Sequence, residues 1–167
     1  MSFSLSYAEA LAAAVRVEEN GALFYRKAAE GAYDPDAAEL FLKLAAMEEE
    51  HRGYFKALSL SLEQRESLFQ NDPDGKFAAS IMGMADAGVF NLSANHAAFF
   101  AGKRSPSEAV QYAIGIEKDS VIFYLGLQEA VVDREEAGKL GGIIKEEMRH
   151  LAVLSGLLKR MNDNQEK

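Results

Sequence analysis

A Glu-x-x-His step occurs twice in this chain, as Glu48-Glu49-Glu50-His51 and as Glu147-Met148-Arg149-His150, 99 residues apart. The same offset carries Glu18 onto Glu117, Phe24 onto Phe123, Tyr25 onto Tyr124, Glu30 onto Glu129 and Asp34 onto Asp133. With 18 glutamates and three histidines among 167 residues, matching these ligand-type residues by accident has a chance on the order of a few in ten thousand under independent placement. The chain therefore reads as an internal repeat that equates residues 6–62 with 105–161, and its fold must accommodate two copies of one unit. Flanking apolar pairs such as Leu11 with Val110 and Leu44 with Ile143 differ in identity while the charged pairs do not. A duplication kept only for packing would show the opposite pattern.

Composition limits what the unit can be. A 49% hydrophobic content fills one core at this length, so a single domain over residues 1–167 is expected. Three prolines and the lack of alternating β-branched runs point to an all-α chain. The 26 acidic against 18 basic side chains leave a formal charge of -8, which argues against nucleic acid or an anionic membrane surface as partner and favours cations. No cysteine is present, which excludes disulfides, iron–sulfur clusters, thiolate zinc sites and cysteine nucleophiles. Met1 to Ala14 reads as neither signal peptide nor anchor, and a cytoplasmic location is expected.

Local signals divide the chain into two helical hairpins and a long crossover. Ser6-Tyr7-Ala8-Glu9 has the form of a capping box, followed by a stripe of Leu11, Ala14, Val15, Glu18, Ala22, Tyr25 and Ala29, with Gly31 as a stop. Asp34-Pro35 opens a second helix that reaches about Leu62. Between Glu63 and Arg104 lie a turn at Asn71-Asp72-Pro73-Asp74-Gly75 and two short apolar runs, Phe77 to Ala87 and Ala94 to Ala101, read as small helices. Ser105-Pro106-Ser107-Glu108 starts a third long helix to about Val132; Asp133 caps a fourth to about Met161, with a frayed tail from Asn162. Two tight hairpins joined by a crossover of this length make a four-helix bundle of the ferritin-like kind.

The hairpins also fix the height of the charged residues. Glu18 and Glu48 lie equally far from position 33, and Glu117 and Glu147 equally far from position 132, which are the two turns. At 1.5 Å per residue both pairs sit roughly 20 Å from their turns, in one layer. Glu48 with His51, and Glu147 with His150, project from one face a turn apart. Four carboxylates inside an apolar bundle repel and are poorly solvated, and two divalent cations neutralise them. The mixed oxygen and nitrogen set suits iron or manganese and accommodates zinc. A carboxylate just before the glutamate of a Glu-x-x-His step could hold a histidine N–H; Glu146 supplies one, whereas its repeat partner is Met47. Glu19, Glu49 and Glu50 are read as solvated-face residues and His96, without a repeat partner, as a crossover histidine.

The residues Glu18 with Phe24-Tyr25, Glu48-x-x-His51, Glu117 with Phe123-Tyr124, and Glu147-x-x-His150 resemble a rubrerythrin-type member of the ferritin-like di-iron carboxylate proteins over the four long helices. That resemblance implies Glu18 and Glu117 as outer carboxylates, Glu48 and Glu147 as bridges between two iron ions, one histidine for each metal, and Tyr25 and Tyr124 as phenols supporting the site. It implies an oxidoreductase that reduces hydrogen peroxide or O2, or alternatively a ferroxidase or storage protein, with homo-oligomers, a dimer first, expected from exposed apolar content. The chain departs from the family twice: Ser120 stands where rubrerythrins carry a further glutamate, and the four-cysteine rubredoxin domain is missing, so electrons would come from a separate protein.

Overall fold

The computed structural model describes residues 7–32, 34–62, 72, 74–86, 99 and 105–165. Among them are five helices and no β-strand: α1 (Tyr7–Glu30), α2 (Pro35–Leu62), α3 (Lys76–Asp86), α4 (Pro106–Ala130) and α5 (Arg134–Gln165). The expected Ser6 cap, most of the crossover, its apolar run from residue 94 apart from Phe99, and His96 lie outside the described residues.

The long helices begin where the capping chemistry says they should. Asp34 accepts from the Asp36 N–H at 3.2 Å ahead of Pro35. At Ser105 both halves of the capping box form: the Ser105 hydroxyl accepts from the Glu108 N–H at 3.2 Å, and the Glu108 carboxylate accepts from the Ser105 N–H at 2.7 Å. Asp133 accepts from the N–H groups of Glu135 and Glu136 at 3.0 and 3.1 Å. Two boundaries differ from expectation. Helix α4 ends at Ala130, because Val131 is extended (φ -77, ψ 119) and carries the chain toward the Asp133 cap. Helix α5 passes Met161 and the supposed frayed tail to reach Gln165, since no proline or glycine interrupts it after Gly156.

The hairpins pack as units, α1 along α2 and α4 along α5, and α3 lies mainly against α4. Gly75 supplies the left-handed turn (φ 61) that starts α3, its N–H donating to the Asp72 carbonyl at 3.0 Å. Phe99, from the crossover, stacks on Tyr112 with centroids 4.5 Å apart, and Tyr112 lies 5.4 Å from Phe24. Phe99 is thereby tied to the bundle.

Phe24, Phe55, Phe123, Leu127, Leu140 and Leu154 are fully buried. Each such side chain contributes about 1.5–3 kcal/mol of transfer free energy, and this apolar burial holds the helices together around a charged layer that, by itself, would push them apart. No described helix is long and apolar enough to cross a membrane.

Candidate metal centre

The four long helices deliver Glu18 from α1, Glu48 and His51 from α2, Glu117 from α4, and Glu147 and His150 from α5, all at most 5% exposed. Their ligand-type atoms form two overlapping groups, each with all atoms within 4.8 Å of one another: Glu18, Glu48, His51 and Glu147, and Glu48, Glu117, Glu147 and His150. Glu48 and Glu147 belong to both groups, and each histidine to one. The six residues singled out by the repeat are thus brought together in one layer.

Both imidazoles turn Nδ1 inward. His51 Nδ1 lies 2.8 Å from Glu147 Oε1 and 3.7 Å from Glu18 Oε2. His150 Nδ1 lies 3.2 Å from Glu147 Oε2, 3.4 Å from Glu48 Oε1 and 3.5 Å from Glu117 Oε1. The two rings face one another, with centroids 6.0 Å apart and planes 21° from parallel.

These approaches are close but poorly aligned as hydrogen bonds. Glu18 Oε2, Glu48 Oε1, both Glu147 oxygens, His51 Nδ1 and both His150 nitrogens are buried without a hydrogen-bond partner. Leaving one such group unsatisfied costs about 1–3 kcal/mol. All but His150 Nε2, which lies behind its ring, make sense as lone pairs aimed at shared points between the residues. A cation at each point would satisfy them, so the donor set fits a pair of metal ions.

The electrostatics without metal agree. Burial pushes the Glu18 carboxyl up, with Glu147 adding to it. Burial, and then the Glu18 carboxylate, push Glu48 well above the usual carboxylate range. Burial and the Glu147 carboxylate push Glu117 up to about 8. For Glu147, burial and Glu48 push upward, but the two histidines outweigh them and hold it below its ordinary value. Burial disfavours charge on the imidazoles, yet Glu147 and Glu18 raise His51 to about 11, and Glu117, Glu147 and Glu48 raise His150 to about 12. Metal-free, the layer holds protons where cations would otherwise sit.

Three further features surround the layer. Tyr25 donates its hydroxyl to Glu117 Oε1 and Tyr124 donates to Glu18 Oε1, both as very short buried contacts. Each phenol reaches across to the carboxylate of the other hairpin, not the one seven residues before it on its own helix. Burial and the carboxylates, Glu117 first for Tyr25 and Glu18 first for Tyr124, push both phenols well above their ordinary range, so they keep their protons. Gly21, one turn after Glu18, is the second feature: a Cβ there would lie 3.1 Å from Glu48 Oε2. Its repeat partner is the buried Ser120, also a small residue. The third is Glu146, whose Oε2 lies 2.9 Å from His51 Nε2. Glu146 holds the histidine of the other hairpin, which sequence spacing could not reveal. Glu19 and Glu49 do face solvent, where Arg52 and Arg26 pair with them.

With this geometry in view, residues 9–87 match the family model for rubrerythrin. The fold is similar to that of a chain from Thermotoga maritima provisionally assigned as a ferritin-like diiron-carboxylate protein, with a TM-score of 0.66 and 24% identity over 91% of this chain and 93% of that one. No match is found among curated proteins. The family-model match covers α1, α2 and α3 with Glu18, Glu48 and His51, and the structural likeness supports the ferritin-like bundle.

Proposed function

We propose that the chain is a di-iron oxidoreductase, in which Glu18, Glu48, His51 and Glu147 hold one ion and Glu48, Glu117, Glu147 and His150 the other. The observation that carries this reading is the pair of overlapping buried groups sharing Glu48 and Glu147, with their inward atoms unpartnered. Iron is favoured by the likeness to a diiron-carboxylate chain; the set of four carboxylates and two imidazoles suits manganese as well and accommodates zinc.

Two ferrous ions, when bound, supply two electrons, enough to reduce hydrogen peroxide to two molecules of water with two protons taken up. The chain's own residues do the rest. Glu48 and Glu147 hold the two positions at a fixed spacing, and the buried layer keeps bulk water from the reacting groups. Tyr25 and Tyr124 keep Glu117 and Glu18 oriented and hold protons at their hydroxyl oxygens beside the layer. Ser120, buried in α4 where the family pattern has a further carboxylate, supplies no charge to move toward either ion. A separate protein would return the electrons.

The test is anaerobic loading with Fe(II), followed by stopped-flow mixing with peroxide and, separately, with O2. Fast oxidation by peroxide and slow oxidation by O2 is the expected result. Accumulation of ferric mineral beyond two irons per chain would favour storage instead, and no oxidation with either reagent would defeat the redox reading.

A further inference from the structure

The repeat makes the two halves of the layer equivalent in their ligands but not in what lies behind them. His51 has both ring nitrogens assigned: Nδ1 faces Glu147 and Glu18, and Nε2 lies 2.9 Å from the half-exposed Glu146 carboxylate. His150 has its Nδ1 facing the layer but its Nε2 buried with no partner. The residue that would match Glu146 in the other half is Met47, which has no oxygen to offer.

We infer that Glu146 makes the two metal positions unequal, so that a first divalent cation binds at the His51 position and a second, more weakly, at the His150 position. The inference rests on the metal-binding reading above and adds the order and the residue that sets it. Glu146 acts as a positioning residue by three routes. It accepts from Nε2–H, which fixes the tautomer that leaves the Nδ1 lone pair facing inward. It adds a negative charge behind the imidazole, which makes that ring the better donor to a cation. The hydrogen bond to a charged acceptor also strengthens as a cation draws electron density from the ring. His150 gains none of these, and its buried Nε2–H must remain unpaired or find water.

The experiment is calorimetric titration of the metal-free full chain with Mn(II), and in parallel with Co(II) read by its visible absorption. Wild type is expected to bind two ions in two steps separated by about tenfold or more. Glu146→Met, copying the other half of the repeat, should weaken the first step by about ten- to hundredfold and leave the second nearly unchanged, so that the steps merge. Glu146→Gln, which keeps an acceptor but loses the charge, should fall between. His51→Ala should remove the tight step and His150→Ala the weak one, which identifies the positions. Because Glu146 lies at the surface side of α5, far-UV circular dichroism should match wild type for both Glu146 variants. Two indistinguishable steps in wild type, or Glu146 variants that leave both steps unchanged or weaken both equally, would overturn the inference while the metal centre stands. A wild-type chain that binds neither metal would overturn both.

Discussion

Replacing Glu117 with glutamine should make the metal-free protein more stable. Glu117 is 2% exposed, and burial together with the neighbouring Glu147 carboxylate raises its carboxyl from the ordinary 4.5 to about 8. A carboxyl with a raised folded value contributes its full stability below the unfolded value and loses it as pH rises through the folded one. At pH 7 the folded chain therefore retains a proton that the unfolded chain has released. At about 1.36 kcal/mol per pH unit between 4.5 and 7, this costs the fold about 3 kcal/mol. Glutamine keeps the shape and leaves an oxygen to accept from Tyr25, but carries no such cost. For a chain of this size the gain corresponds to roughly 6–12 °C in Tm. The assay is urea unfolding of metal-free wild type and Glu117→Gln with chelator present, at pH 7 and again near pH 4.5, where the difference should shrink toward zero. The same variant should bind the His150-side ion more weakly, so added Mn(II) should stabilise it less than wild type. If the metal-free variant is no more stable than wild type at pH 7, the layer is already satisfied without metal and the reasoning fails.

Further outcomes follow from the same geometry. Glu48→Ala or Glu147→Ala should abolish binding of both ions, since each belongs to both ligand groups, whereas Glu18→Ala should weaken mainly one; elemental analysis after desalting reads the difference. Metal affinity should rise with pH from 6 to 8, because the raised Glu18, Glu48, Glu117, His51 and His150 must give up protons to bind a cation. Calorimetry in buffers of different ionisation enthalpy should count those protons, and a pH-independent affinity would contradict the assignment. Gly21→Ala should displace the Glu48 carboxylate by a few tenths of an ångström and weaken both ions while leaving helicity unchanged; unaltered binding would mean that Glu48 has slack.

Much of this was legible in the sequence because it depends on distances along a helix. The offset of 99 pairs the ligands, the turns lie midway between the paired glutamates, and Asp34, Ser105 and Asp133 announce their helices. What was not legible depends on how one hairpin is rotated against the other. Spacing puts Tyr25 on the face of Glu18 but cannot say that its hydroxyl passes to Glu117. It puts Glu146 beside Glu147 but cannot say that it reaches His51 on α2. Gly21 could have been suspected, since the repeat sets it against Ser120 and both are small, but the carboxylate it makes room for belongs to another helix. The end of α5 is not legible either: the polar residues after Met161 look like a frayed tail, yet no helix breaker stands there and the helix continues to Gln165.

The most direct test of the two-metal layer is anomalous X-ray diffraction from crystals of the chain loaded with Mn(II) or, anaerobically, Fe(II). Two peaks about 3.5–4 Å apart are expected, both touching Glu48 and Glu147, one beside Glu18 and His51 and the other beside Glu117 and His150. A single peak, or peaks away from these six residues, would contradict the assignment of the layer as a dinuclear centre.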